Sequence, residues 1–206
     1  MTDLGTLGLS SYPRAINARG DIAGVSVLTT FELHAAVWQT GELTDLGAPP
    51  NAWSEAFAIN NRDQVVGYYG AIAFLWQRGV MTDLGTLGGS YAYATAINDG
   101  GQIVGNSETA DRGIHAFVWR NGVMTDLGTL GGNSSVPQAR LQSINERGQV
   151  VGGSETELGE THAFVWTNGV MTDLDSLGGS EAIAINGAGD VIGNSGGHAV
   201  LWTANG

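Results

Sequence analysis

The sequence predicts an all-β chain: a five-bladed β-propeller with four-stranded antiparallel blades. Three observations predict it. Short words recur five times, at spacings of 36 to 47 residues, the period of a propeller blade among other repeat folds. Each copy reads as short strands joined by tight-turn signals, with no helix-period segment. The copies are out of phase with the chain, so that the first residues carry a fourth strand and the last described word is a third strand.

The five copies are anchored on three columns. Thr-Asp-Leu recurs at Asp3, Asp45, Asp83, Asp126 and Asp173. Ile-Asn recurs at Asn17, Asn60, Asn98, Asn145 and Asn186. A tryptophan closes an apolar run at Trp38, Trp76, Trp119, Trp166 and Trp202. The repeats run roughly over 8–47, 48–86, 87–129 and 130–176, with 177–206 completed by 1–7, and together form a single domain.

The third copy shows the elements in order. Tyr91–Asn98 is a first strand of small and β-branched residues, and Asp-Gly-Gly at 99–101 is a turn. Gln102–Thr109 is the second strand. His115–Trp119 is the third, and Asn121-Gly122 a hairpin signal. Val123–Thr129 is the fourth. Four strands in such a meander make a propeller blade. The N-terminal Met1–Leu7 repeats the fourth-strand word and is expected to pair beside His198–Trp202, closing the ring and removing its exposed edges.

Composition narrows the chemistry. The 206 residues contain no cysteine and no lysine, which removes disulfides, thiolate nucleophiles and lysine Schiff bases. The formal net charge of −12 argues against nucleic acid or an anionic membrane as partner. No apolar run reaches the length of a membrane span. The opening Met-Thr-Asp-Leu lacks the basic and apolar regions of a signal peptide, so the chain as it stands reads as cytoplasmic.

Most repeated polar residues read as structural. His34, His115, His162 and His198 share one column, with Ile72 in the second copy. One histidine per blade spreads them around the wheel, so they read as strand anchors and no metal site is expected. The repeated Asp and Asn are turn stabilisers, and the column tryptophans fill gaps between blades.

The words Asp-Leu-Gly-Thr-Leu-Gly-Gly, Ala-Ile-Asn, Gly-Gln-Ile-Val-Gly, Ser-Glu-Thr and His-Ala-Phe-Val-Trp resemble the HAF-repeat family of bacterial proteins. The resemblance covers essentially the whole chain, although the first copy reads His34-Ala-Ala and the fifth His198-Ala-Val. It implies a bacterial source and, since that family is usually described as extracellular, a secreted location if a leader has been removed. It carries no catalytic motif.

Function is expected where the copies differ. The loops between second and third strands and the joins between blades are long and unequal, and variable loops on a rigid scaffold are the usual binding surface. Trp53 lies outside the tryptophan column, and Tyr12, Tyr91 and Tyr93 enter first strands. The column near the entrance of the innermost strand reads Tyr12, Glu55, Tyr93, Arg140, Glu181. Two residues further in it reads Arg14, Phe57, Thr95, Gln142, Ile183. An arginine facing the hub needs a carboxylate or a ligand anion, so Arg14 and Arg140 read either as members of an ion-pair plug with Glu55 and Glu181 or as parts of a pocket.

The ligand-binding candidates are therefore Tyr12, Arg14, Trp53, Glu55, Phe57, Tyr91, Tyr93, Arg140, Gln142 and Glu181, for a small molecule or saccharide at one asymmetric central pocket. Two alternatives stay open. One is a cofactor-free glycosidase, lyase or cyclase using Glu55, Glu181, Tyr93 and Arg140. The other is a scaffold that docks a protein partner on the long-loop face.

Overall fold

A computed structural model describes residues 1–49, 52–137, 143–174 and 179–204. The described residues form an all-β chain of nineteen strands with no helix. The strands fall into five antiparallel meanders, here called blades 1 to 5. Blade 1 contains β1 (Ser10–Ile16), β2 (Ile22–Val27), β3 (Leu33–Gln39) and β4 (Glu42–Asp45). Blade 2 contains β5 (Ser54–Ile59), β6 (Val65–Tyr69), β7 (Ile72–Gln77) and β8 (Val80–Asp83). Blade 3 contains β9 (Gly88–Ile97), β10 (Ile103–Thr109), β11 (Ile114–Arg120) and β12 (Val123–Asp126). Blade 4 contains β13 (Gly131–Pro137), β14 (Val150–Thr156), β15 (Thr161–Thr167) and β16 (Val170–Asp173). Blade 5 has three strands: β17 (Ser180–Ile185), β18 (Val191–Ser195) and β19 (His198–Trp202). A parallel bridge from Ile114 to Ser134 ties blades 3 and 4 into one sheet.

The fourth strands are shorter than the sequence predicts, and the reason is local. In Asp126-Leu-Gly the Asp126 carboxylate accepts the Gly128 amide at 2.8 Å, and Gly128 takes φ 75°. That turn lifts the chain off its own blade. The next residues then bind the following blade: the Leu130 amide donates to Ser154 Oγ at 2.9 Å, and Thr129 Oγ1 donates to the Gly132 carbonyl at 2.8 Å. The Thr-Asp-Leu-Gly-Thr-Leu word is thus half strand and half link. The hairpins before it behave as the sequence predicts. Asn121 and Gly122 take φ 50° and 88°, the left-handed pair that a two-residue hairpin needs.

The first strands of blades 1, 2, 3 and 5 carry a bulge, between Pro13 and Ala15, Ala56 and Ala58, and Ala182 and Ala184, with the same break opposite Val104 and Gly105. The bulge pushes a first-strand carbonyl against the second strand. A Cβ at Gly24, Gly67, Gly105 or Gly193 would overlap the carbonyl oxygen of Tyr12, Glu55, Tyr93 or Glu181 respectively. The glycine of Ile-Val-Gly is therefore required by that close approach.

The core lies between blades. One face of a blade, its forward face, meets the rear face of the next. Between blades 2 and 3 the forward residues Ala58, Val66, Ala73 and Leu84 pack on Ala92, Ala94, Ile103 and Phe117, with Trp119 at the margin. The junctions on either side repeat this set. The tryptophans at 76, 119, 166 and 202 each join such a two-blade cluster, which is the gap-filling role the sequence suggests. Trp38 is buried, and its indole N–H has no partner.

The repeated asparagines lock the junctions on the tight-turn side. Asn98 Oδ1 accepts the Gln102 amide at 2.9 Å, holding its own turn. Its Nδ2 donates to Gln102 Oε1 at 2.9 Å and to the Asn145 carbonyl of blade 4 at 3.0 Å. The same inter-blade bond runs from Asn17 to Asn60, from Asn60 to Asn98 and from Asn145 to Asn186. A parallel ladder uses the next residue: the Ala18 amide donates to Asn61, Asn61 to Asp99, and Asp99 to Glu146. The sequence identified the turn role of these asparagines but not the ladder.

The expected ring closure is not made. Residues 1–7 form no strand, and among the described residues nothing pairs with the outer edge of β19. Instead Thr6 to Ser11 are fastened to blade 1. The Leu7 amide donates to Ser26 Oγ at 2.9 Å, and Ser11 Oγ donates to the Gly5 carbonyl at 2.8 Å. The chain around Asn205-Gly206, through which closure was expected to lead back to Met1, lies partly outside the described residues.

Candidate functional site

The histidine column resolves first, because it removes a tempting site. The cross-strand register of blades 1, 3 and 4 places the third-strand histidine beside the fourth-strand aspartate of its own blade. His34, His115 and His162 bind Asp45, Asp126 and Asp173 through Nδ1 at 2.7, 2.8 and 2.7 Å. These pairs clamp β3 to β4, β11 to β12 and β15 to β16. The hydrogen bond that His162 donates to the Asp173 carboxylate raises the His162 pKa above the ordinary histidine value, with the nearby charges of Asp173 and Glu160 adding to it against partial burial. Among the described residues no group of three or more histidine, aspartate or glutamate side chains is placed to hold a metal ion.

The non-repeated residues of blades 1 to 3 do gather. Arg14 is the bulge residue of β1 and reaches across the junction to Glu55 of β5. Its Nε donates to Glu55 Oε1 at 2.6 Å, and its terminal nitrogen forms an ion pair with the same oxygen. Glu55 is buried although Arg14 is exposed. Directly across the β5–β6 ladder from Glu55 stands Tyr68. Burial first, and then the Glu55 charge, hold the Tyr68 phenol above the ordinary tyrosine value, and its hydrogen bond to Glu55 acts in the same direction. The phenol therefore remains a hydrogen-bond donor at neutral pH.

Aromatic rings continue from this point. Tyr68 meets Tyr93 of blade 3 edge to face, with centroids 4.9 Å apart. Phe57, the bulge residue of β5, lies 5.7 Å from Tyr68, and Tyr91 lies 5.4 Å from Tyr93. Such pairs favour these tilted and edge-on arrangements. Burial, with Glu108 nearby, also raises the Tyr91 phenol. The result is a run of four rings ending at a carboxylate and a guanidinium.

A concavity of about 560 Å³, open to solvent, is bordered by Arg14, Pro13, Ile16, Ala58, Ile59 and Ile97; of the ring run and its ion pair, Arg14 is the member that lines it. Its wall is apolar, formed by the isoleucines that end the first strands, and Arg14 supplies the charge. Arg14 thus belongs both to the ion pair and to the concavity.

Of the ten predicted ligand-binding residues, the structure brings together Arg14, Glu55, Phe57, Tyr91 and Tyr93. Tyr12 and Trp53 are each more than half exposed. Glu181 stands on β17, with its side chain beside Gly153 of blade 4. Arg140 and Gln142 lie outside the described residues. The residue missing from the predicted set is Tyr68. A signal for it was present: its column reads Val25, Tyr68, Asn106, Gly153, Asn194, and pairing first and second strands would have set it opposite Glu55. No protein-family model matches this chain, and a search of curated proteins finds no match.

Proposed function

We propose that the five meanders are propeller blades, and that the chain binds a small polar molecule, a saccharide foremost, on the hub side of blades 1 to 3. The observation that carries this reading is the Arg14–Glu55–Tyr68–Tyr93 constellation, joined through Arg14 to an open concavity. It breaks the repeat at several positions in one place. Four rings provide flat apolar contact for the C–H face of a sugar ring. Arg14 offers donors, and the Tyr68 phenol oxygen and the Glu55 carboxylate acceptors, to the hydroxyl groups of a ligand.

The reading favours binding over catalysis. Glu55 is engaged by Arg14 and Tyr68, so its carboxylate orients partners and is poorly placed to shuttle protons. The resemblance to HAF repeats, if it marks a bacterial surface protein, fits a glycan ligand.

The experiment is a thermal-shift and calorimetric screen of mono- and oligosaccharides and small carboxylates. A ligand at a hundred times its Kd adds about 2.7 kcal/mol of stability. That gain is expected in the wild-type protein and expected to vanish in Glu55→Gln, with Tyr68→Phe weakened. A ligand whose stabilisation survives both substitutions would refute the site.

A further inference from the structure

We infer that blade 5 of one copy docks on blade 1 of a second copy, head to tail, with Met1–Leu4 of the second copy supplying a fourth strand against β19.

The N-terminal segment is held in the pose of a chain arriving from a preceding blade. Leu7 binds Ser26 as Leu87 binds Ser107 and Leu130 binds Ser154. Thr6 Oγ1 donates to the Ser10 carbonyl as Thr86 donates to Gly89 and Thr129 to Gly132. Ser11 donates to Gly5 as Ser135 donates to Gly128. Met1 to Leu4 carry the same word as Met81–Leu84 and Met124–Leu127, yet they are exposed and unpaired where those words form β8 and β12 or cover a junction.

Blade 5 is the complement. Its forward face carries Ile192, Ala199 and Leu201, all exposed, in the columns of Val66, Ala73 and Leu75 that blade 3 covers. On the outer edge of β19, the Ala199 carbonyl occupies the position that accepts the leucine amide in blades 1 to 4, as Ala116 accepts Leu127. The Ala199 amide matches those of Ala35, Ala116 and Ala163, each of which donates to a serine of the next blade. Ser11 is that serine in blade 1. His198 lacks the fourth-strand aspartate that its counterparts bind, and Asp3 is that aspartate. The Asn186 side chain, which reaches Asp190, would extend the ladder to the Asn17 carbonyl.

The occupant follows from where these groups are fixed. Thr6 to Ser11 are fastened to blade 1, so Met1–Leu4 cannot leave its rear side. The four internal junctions are held by asparagine bonds and apolar burial, and in this arrangement β19 is not beside β1. Interface chemistry already present four times in the chain therefore continues onto another copy. The contact is heterologous and builds a ring or a filament.

The absence of native cysteine makes the test direct. By the register of Val118 with Thr125, Thr2 faces Leu201. Thr2→Cys and Leu201→Cys copies, both at exposed positions, are mixed under mild oxidation and run on a non-reducing gel. A disulfide-linked mixed dimer, absent from each variant alone, is expected, with sedimentation of the wild type showing mass rising with concentration. No mixed dimer would overturn the inference, and a Thr2→Cys/Leu201→Cys double variant that links within one chain would show that the two faces meet inside the molecule.

Discussion

Blades 3 and 5 are built from the same words and meet solvent differently. In blade 3 the forward residues Val104 and Val118 are 0% and 8% exposed; their counterparts in blade 5, Ile192 and Leu201, are 52% and 60% exposed. Asn98 is buried and spans to blade 4, whereas Asn186 is exposed and bonds within its own turn. What distinguishes them is a neighbour. A blade of four short strands buries little by itself, and its apolar faces gain stability only when stacked, as in other repeat proteins.

Breaking a covered junction has the largest expected effect. Phe117→Ala removes a fully buried ring between blades 2 and 3 and is expected to cost about 3–5 kcal/mol. Leu201→Ala on the bare face is expected to change stability by less than about 0.5 kcal/mol in dilute protein. Urea unfolding of the two variants checks the difference; equal losses would mean that Leu201 is already covered.

The asparagine ladder sharpens the comparison on a smaller scale. Asn98→Ala orphans the half-buried Gln102 amide and the carbonyl of buried Asn145, for an expected loss of about 2–3 kcal/mol. Asn186→Ala removes hydrogen bonds confined to one exposed turn, whose amides water can reach, and is expected to cost about 1 kcal/mol or less. Denaturation midpoints give both values.

The smallest effect is a pH dependence in blade 4. The hydrogen bond from His162 to the Asp173 carboxylate raises the folded His162 pKa. Its stabilisation is therefore fully present below the unfolded value near 6.5 and is lost as pH rises through the folded value. A histidine NMR titration is expected to place His162 above the ordinary midpoint, and Asp173→Asn to bring it back down.

How much of this was legible in sequence depends on whether the information is local. The turns were: Asn121-Gly122 and the Asx turns at the Ile-Asn columns follow from side-chain preferences over a few residues. The tryptophans were legible as gap fillers because their period marks one face of every third strand. Most of the site was legible as well, since Arg14, Glu55, Phe57 and Tyr93 lie in two first-strand columns that differ from copy to copy within an otherwise regular repeat. Tyr68, at the end of a second strand, was legible as belonging to the loop-bearing face but was left out of the candidate set, because its importance comes from the β5–β6 register and from Tyr93 one blade away. The fourth-strand length was overestimated because the Asp-Leu-Gly turn looks like continued strand until the glycine's positive φ is known. Closure was read from matching words at the two ends. Whether matching faces meet within one chain depends on the angle at each junction, which no word encodes.

Hydrogen exchange followed blade by blade, at low and high protein concentration, tests the central claim most directly. The account predicts that amides of β10 and β11 are protected at both concentrations, while those of β19 and Met1–Leu4 exchange rapidly in dilute protein and become protected as copies associate. Protection of β19 equal to that of β11 at the lowest concentration would contradict it.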